Sequence, residues 1–176
     1  GGAEKKRQLN PFLTIQIQPK YAEAYNNLGL AFKEQGKLEE STLIFYKVTQ
    51  NHPQFLAAYY NLGNVLQERG RLEESIQAYH KAIEIQPNYA AAYNNLGLAF
   101  KEQGKLEESI QAYHKAIEIQ PNYAAAYYNL GNVLQERGKL EESIQAYHKA
   151  IEIQPRYADA YNNLGLAFKE QGKLEE

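Results

Sequence analysis

From Ala90 to Tyr123 the chain reads AAAYNNLGLAFKEQGKLEESIQAYHKAIEIQPNY, and this stretch decides the fold. Tyr93, Leu96, Gly97 and Phe100 recur at helical spacing and form one apolar face. Gly104 interrupts that face, as a glycine does just past a helix C-terminus where φ turns positive. A second stripe follows at Leu106, Ile110, Tyr113, Ala116 and Ile117. Pro121 ends the second helix, and Asn122 is expected to cap the next one. Neither helix can bury its stripe alone, so stacked neighbours must complete the core. Gly97 lies mid-helix, where it costs about 1 kcal/mol relative to alanine. Gly29, Gly63, Gly131 and Gly165 repeat it, and close approach of a partner helix is the expected compensation.

Outward from this unit, Pro19, Pro53, Pro87, Pro121 and Pro155 recur every 34 residues, and the 176-residue chain holds slightly more than five such units. That period marks an all-α helix–turn–helix solenoid of stacked antiparallel helix pairs. The expected division is a mobile segment or tag remnant at 1–9 and a partial repeat holding only a second helix at 10–21. Full repeats follow at 22–55, 56–89, 90–123 and 124–157, then a first helix and the start of a second at 158–176. Two unit types alternate. Asn-Asn units begin at Tyr25, Tyr93 and Tyr161, and Tyr-Asn units at Tyr59 and Tyr127. Residues 55–88 and 123–156 differ at four of 34 positions, so the true period is 68. Methionine is absent even at position 1, and the chain stops inside a unit, which points to a piece of a longer array.

Composition removes several classes of function. A formal net charge of −2 gives no bulk attraction to nucleic acid or anionic membrane. Without cysteine there is no disulfide, thiolate site or thiol nucleophile, and the cytoplasm is the expected compartment. No apolar run approaches the roughly 18 residues of a membrane span. Asp159 is the single aspartate, so no paired-aspartate catalyst is present. Ser41, Ser75, Ser109 and Ser143 occupy a helix-contact position without a base beside them, and packing accounts for them. His80, His114 and His148 sit on non-adjacent helices, too far apart to share one metal ion. Neither an enzyme nor a cofactor or metal site is expected.

These units resemble the tetratricopeptide repeat family, whose pattern is an aromatic, then Leu-Gly, an aromatic, a small residue, an aromatic and a final proline. Tyr93, Leu96-Gly97, Phe100, Ser109, Tyr113, Ala116 and Pro121 supply it, and the other units follow suit, with Leu66 and Leu134 at the second aromatic position of the Tyr-Asn units. The wording of the repeats is most similar to the repeat region of O-linked N-acetylglucosamine transferases and to bacterial scaffolds of this family. The catalytic part of those transferases is not in the chain. The resemblance implies a right-handed superhelix, a protein–protein interaction scaffold whose first helices line a concave groove. Its inward positions would be Ala91, Asn94, Asn95, Leu98, Lys101 and Glu102 in one unit type. In the other they would be Ala125, Tyr128, Asn129, Asn132, Gln135 and Glu136.

One inward position never varies. Asn27, Asn61, Asn95, Asn129 and Asn163 form a ladder whose amides offer donors and acceptors to the backbone of an extended peptide. Tyr60 and Tyr128 are candidate platforms for ligand side chains. Asn26, Asn94, Asn64, Asn132 and Lys101 complete the expected peptide-binding set. The carboxylate clamp of chaperone-binding relatives is not reproduced: its cation positions hold Tyr60, Ala125 and Asn129. Acidic chaperone tails are therefore not expected to bind. Nucleic acid is not an expected partner either, because Lys33, Lys101 and Lys169 are each followed by glutamate. The alternative is self-assembly, with copies stacking head-to-tail through uncapped ends. Phe12, Leu13, Ile15 and Ile17 at one end, and Leu164, Phe168 and Leu174 at the other, would be its exposed apolar surfaces.

Overall fold

The computed structural model describes residues 21–175, with side chains as far as residue 172. Among the described residues nine helices follow one another without a strand: α1 (Ala22–Glu34), α2 (Leu38–Asn51), α3 (Leu56–Glu68), α4 (Leu72–Ile85), α5 (Ala90–Glu102), α6 (Leu106–Ile119), α7 (Ala124–Glu136), α8 (Leu140–Ile153) and α9 (Ala158–Glu175). Segment 1–9 and nearly all of 10–21, with Phe12, Leu13, Ile15 and Ile17, lie outside the described residues.

The first helices α1, α3, α5 and α7 end in the same way. Gly36, Gly70, Gly104 and Gly138 take φ between +72° and +76°. Their N–H groups bond back to Lys33, Gln67, Lys101 and Gln135, while Lys37, Arg71, Lys105 and Lys139 reach Phe32, Leu66, Phe100 and Leu134. This is the Schellman closure, which satisfies carbonyls that the helix leaves open and turns the chain back on itself. Each second helix opens on paired glutamates such as Glu107 and Glu108, at the positive end of its dipole. It stops before proline: Gln86, ahead of Pro87, is already extended. Asn122 does not cap α7; the residue before that helix is Tyr123, and no side chain caps it.

The mid-helix glycines are explained by the closing of each pair. A Cβ on Gly97 would lie 2.8 Å from Tyr113 Cε1, and one on Gly63 would overlap Tyr79 Cε1. The second-helix aromatic therefore rests directly on the first-helix backbone. The serine one turn earlier fastens the same spot: Ser41, Ser75, Ser109 and Ser143 are fully buried and donate to the carbonyls of Gly29, Gly63, Gly97 and Gly131 at 2.7–2.8 Å. Between pairs, apolar side chains of one repeat's second helix meet the next repeat's first helix, as Ile110 and Tyr113 meet Leu130, Val133 and Leu134.

α1, α3, α5, α7 and α9 touch one another in sequence, whereas the second helices make no comparable contacts among the described residues. The first helices therefore form the inner, tighter layer of a right-handed solenoid. α9 departs from expectation. Ala160–Glu175 repeats the sequence of Ala92–Glu107 residue for residue, yet it runs as one helix through Gly172 instead of breaking there. In the earlier repeat the break is stabilised by the returning second helix, whose aromatic covers Gly97. Among the described residues nothing lies within 4 Å of a Cβ placed on Gly165.

Candidate interaction groove

Positions five, six, nine, twelve and thirteen of each first helix share one face by helical spacing. On that face the repeats are joined by side chains. At the junction of α3 and α5, Asn95 Nδ2 donates to Asn64 Oδ1 at 2.8 Å and to the Tyr60 hydroxyl at 3.1 Å. At the junction of α7 and α9, Asn163 Nδ2 does the same to Asn132 Oδ1 at 2.8 Å and Tyr128 Oη at 3.2 Å. The other junctions differ. Asn61 Nδ2 donates to Asn26 Oδ1, and Asn129 Nδ2 to Asn94 Oδ1, each at 3.1 Å. Asn94 in turn donates to Asn95 Oδ1. The ladder residues are thus cross-links between repeats as well as groove lining, a role that the sequence reading missed.

The network extends into the core through the second-helix tyrosines. Tyr79 Oη lies 2.8 Å from Asn64 Oδ1 and 3.0 Å from Gln67 Oε1. Tyr147 Oη lies 2.8 Å from Asn132 Oδ1 and 2.9 Å from Gln135 Oε1. In the Asn-Asn unit those two acceptor positions are Leu98 and Lys101, and the fully buried Tyr113 hydroxyl has no hydrogen-bond partner among the described residues. Burial drives the ionisation of Tyr79 and Tyr113 far above the usual phenol range, so both stay neutral donors.

Positions twelve and thirteen form a second row along the groove. Lys33 pairs with Glu68 at 3.0 Å, Gln67 Nε2 donates to Glu102 at 2.8 Å, Lys101 lies 4.0 Å from Glu136, and Gln135 Nε2 donates to Glu170 at 3.0 Å. Lys101 is therefore engaged by the next repeat. The two tyrosine platforms are also built in: the Tyr60 ring centre is 5.1 Å from that of Tyr89 and 6.2 Å from that of Tyr79. Tyr128 repeats this with Tyr157 and Tyr147. Burial and the neighbouring Tyr60 push Tyr89 up to about 12.

Several expected site residues sit differently. Asn26 and Asn94 are buried at 6% exposure, because the next repeat's asparagine lies across them. Leu164, expected at a bare end, is buried against Ile144 and Tyr147 of α8. Phe168 is half exposed, as are Tyr161 and Leu166 beside it, and the side chain of Leu174 lies outside the described set. His80, His114 and His148 are exposed on second helices. No group of metal-ligating side chains occurs among the described residues, and none of their helices is long and apolar enough to cross a membrane.

The motif match is direct. The TPR repeat family model covers residues 63–104, 97–138 and 132–172, and a second model, described as tetratricopeptide repeat, covers 22–54. The chain belongs to the tetratricopeptide repeat family. Among solved structures, 88% of it is similar to 85% of a MamA protein at 28% identity, with a TM-score of 0.79. MamA 41-end from Desulfovibrio magneticus RS-1 shares the fold at 20% identity, over 89% of this chain and 88% of that one, with a TM-score of 0.79. PilF from Pseudomonas aeruginosa shares it at 21% identity, over 88% of this chain and 70% of that one, also at 0.79. No curated protein matches the sequence. The tetratricopeptide repeats make the chain a scaffold for interaction with protein partners.

Proposed function

We propose that the scaffold holds an extended segment of another protein in its inner groove, with the asparagine ladder pairing to the segment's backbone. One observation carries this reading: Asn27, Asn61, Asn95, Asn129 and Asn163 hold one position in successive first helices, and inter-repeat bonds fix four of their amides. A fixed amide loses little freedom on binding, which favours pairing with a backbone that also offers one donor and one acceptor per residue. The groove rows carry five glutamates, at 34, 68, 102, 136 and 170, against Lys33, Lys101 and Lys169. That balance favours neutral or basic segments over acidic tails or nucleic acid. A peptide-array screen of the protein and of an Asn95→Ala, Asn129→Ala variant tests the reading. Peptides should bind the parent and lose affinity on the variant while helicity is kept. Undiminished binding would move the site off the ladder.

Stacking of copies through α9 is the second reading. Tyr161, Leu166 and Phe168 are each about half exposed. Gly165 faces open space where the equivalent glycines meet an aromatic ring within 2.8 Å. At the other end Tyr21 and Leu28 are exposed. Size-exclusion chromatography over a concentration series checks it, and a mass that stays monomeric throughout excludes it.

A further inference from the structure

We infer that the ladder is built from two kinds of rung and that the groove therefore selects a periodic segment. The selected ligand is an extended, non-acidic stretch that seats one apolar side chain at Leu98, midway between two backbone pairings at Asn61 and Asn129. The inference rests on the peptide-groove reading above and specifies its ligand.

Counting protons separates the rungs. A primary amide has two N–H donors and one oxygen with two lone pairs. Asn95 has both protons engaged, by Asn64 and Tyr60, and Asn163 has both engaged, by Asn132 and Tyr128. These rungs present only oxygen, and that of Asn95 already accepts from Asn94. Asn61 and Asn129 each have one proton engaged, by Asn26 and Asn94. Each keeps an N–H and an oxygen, and can donate to one peptide carbonyl while accepting from one peptide N–H. Two-point pairing is available at Asn61 and Asn129, with a weaker acceptor rung at Asn95 between them.

The residue at position nine sets this alternation. Where it is asparagine, at Asn64 and Asn132, it draws both the next ladder amide and the tyrosine hydroxyl towards itself. Where it is Leu98 there is no acceptor, so Asn129 turns to Asn94 and the Tyr113 hydroxyl is left alone. Leu98 itself is half-buried on the ladder face, an apolar spot flanked by amides. Packed helices lie about 8–10 Å apart, so the inner helices bearing Asn61 and Asn129, two steps along the layer, are about 16–20 Å apart. An extended chain covers that in about five or six residues at about 3.3–3.6 Å each. Leu98 then faces the middle of the span.

The test uses a positional-scanning library of fluorescent peptides about twelve residues long, each fixed at one position as leucine, serine or glutamate. It is read by anisotropy against the parent, Leu98→Asn, and Asn61→Ala with Asn129→Ala. The parent should prefer leucine at one register, by about tenfold over serine, the scale of a largely buried leucine side chain. Leu98→Asn should abolish that preference while thermal stability holds or rises, since Tyr113 gains an acceptor. The double alanine variant should weaken leucine and serine peptides alike. A leucine preference that survives Leu98→Asn, or its absence in the parent, overturns the inference and leaves the groove reading standing. Unchanged binding to the double alanine variant overturns both.

Discussion

Replacing Tyr113 by phenylalanine deletes one oxygen that is fully buried and has no hydrogen-bond partner among the described residues. One repeat on, the equivalent oxygen of Tyr147 is held 2.8 Å from Asn132 Oδ1. An unsatisfied buried hydroxyl costs about 1–3 kcal/mol, whereas a formed bond contributes about 0.5–1.5 kcal/mol net. Tyr113→Phe is therefore expected to be neutral or to stabilise by about 1 kcal/mol, and Tyr147→Phe to destabilise by about 1 kcal/mol. The ring itself needs no adjustment, because Phe45 already occupies the equivalent place, 2.7 Å from where a Gly29 Cβ would stand. In a domain of this size 1 kcal/mol moves Tm by about 2–4 °C, so the two variants, about 1–2 kcal/mol apart, should melt about 2–8 °C apart. Calorimetry of both under one buffer reads the difference. If Tyr113→Phe melts as early as Tyr147→Phe, the reasoning is refuted. Leu98→Asn closes a double-mutant cycle: with an acceptor in place, Tyr113→Phe should become destabilising by about 1 kcal/mol.

Glycine substitutions should divide by position. Gly97→Ala drives a methyl into the Tyr113 ring, and overpacking of about 1–3 kcal/mol outweighs the gain of about 1 kcal/mol in helix propensity. Gly165→Ala meets nothing within 4 Å and should stabilise by up to about 1 kcal/mol; urea midpoints of the pair check both signs. Ser143→Ala removes the bond to the Gly131 carbonyl and should cost about 1 kcal/mol in the same titration. The Tyr46 hydroxyl, then the Arg71 guanidinium, hold the Glu74 carboxyl below the usual carboxylate range. A lowered folded pKa stabilises above the unfolded value, and that stability is lost as pH falls through the folded one. Glu74→Gln should therefore flatten the acid limb of a Tm-against-pH curve and leave the neutral plateau little changed in shape.

The fold was legible because its determinants are local and repeated: two apolar stripes, a glycine in the turn and a proline after the second helix. The close approach at Gly97 could also be inferred, since a costly residue kept at five equivalent positions needs a compensation. The groove was harder. Position five was expected to face a ligand, yet Asn26 and Asn94 are buried. Their burial depends on how the next repeat is laid across them, and no single unit encodes that register. The difference between Asn95 and Asn129 has the same origin, since it follows from whether the preceding repeat offers asparagine or leucine. Leu164 was expected to be bare because α9 was weighed without the α8 side chains that cover one of its faces.

The rows along the inner layer have a mechanical meaning. Lys33–Glu68, Gln67–Glu102, Lys101–Glu136 and Gln135–Glu170 are short ties on the inside of a curve. Straightening the superhelix would stretch every one of them and tightening it would compress them, so together they resist a change of curvature, each weakly. The amides that would meet a ligand lie one turn or two away on the same helices. On the proposed groove reading, pitch and grip change together: a pull on the ends of the array would loosen its hold on a segment, and a bound segment would stiffen it.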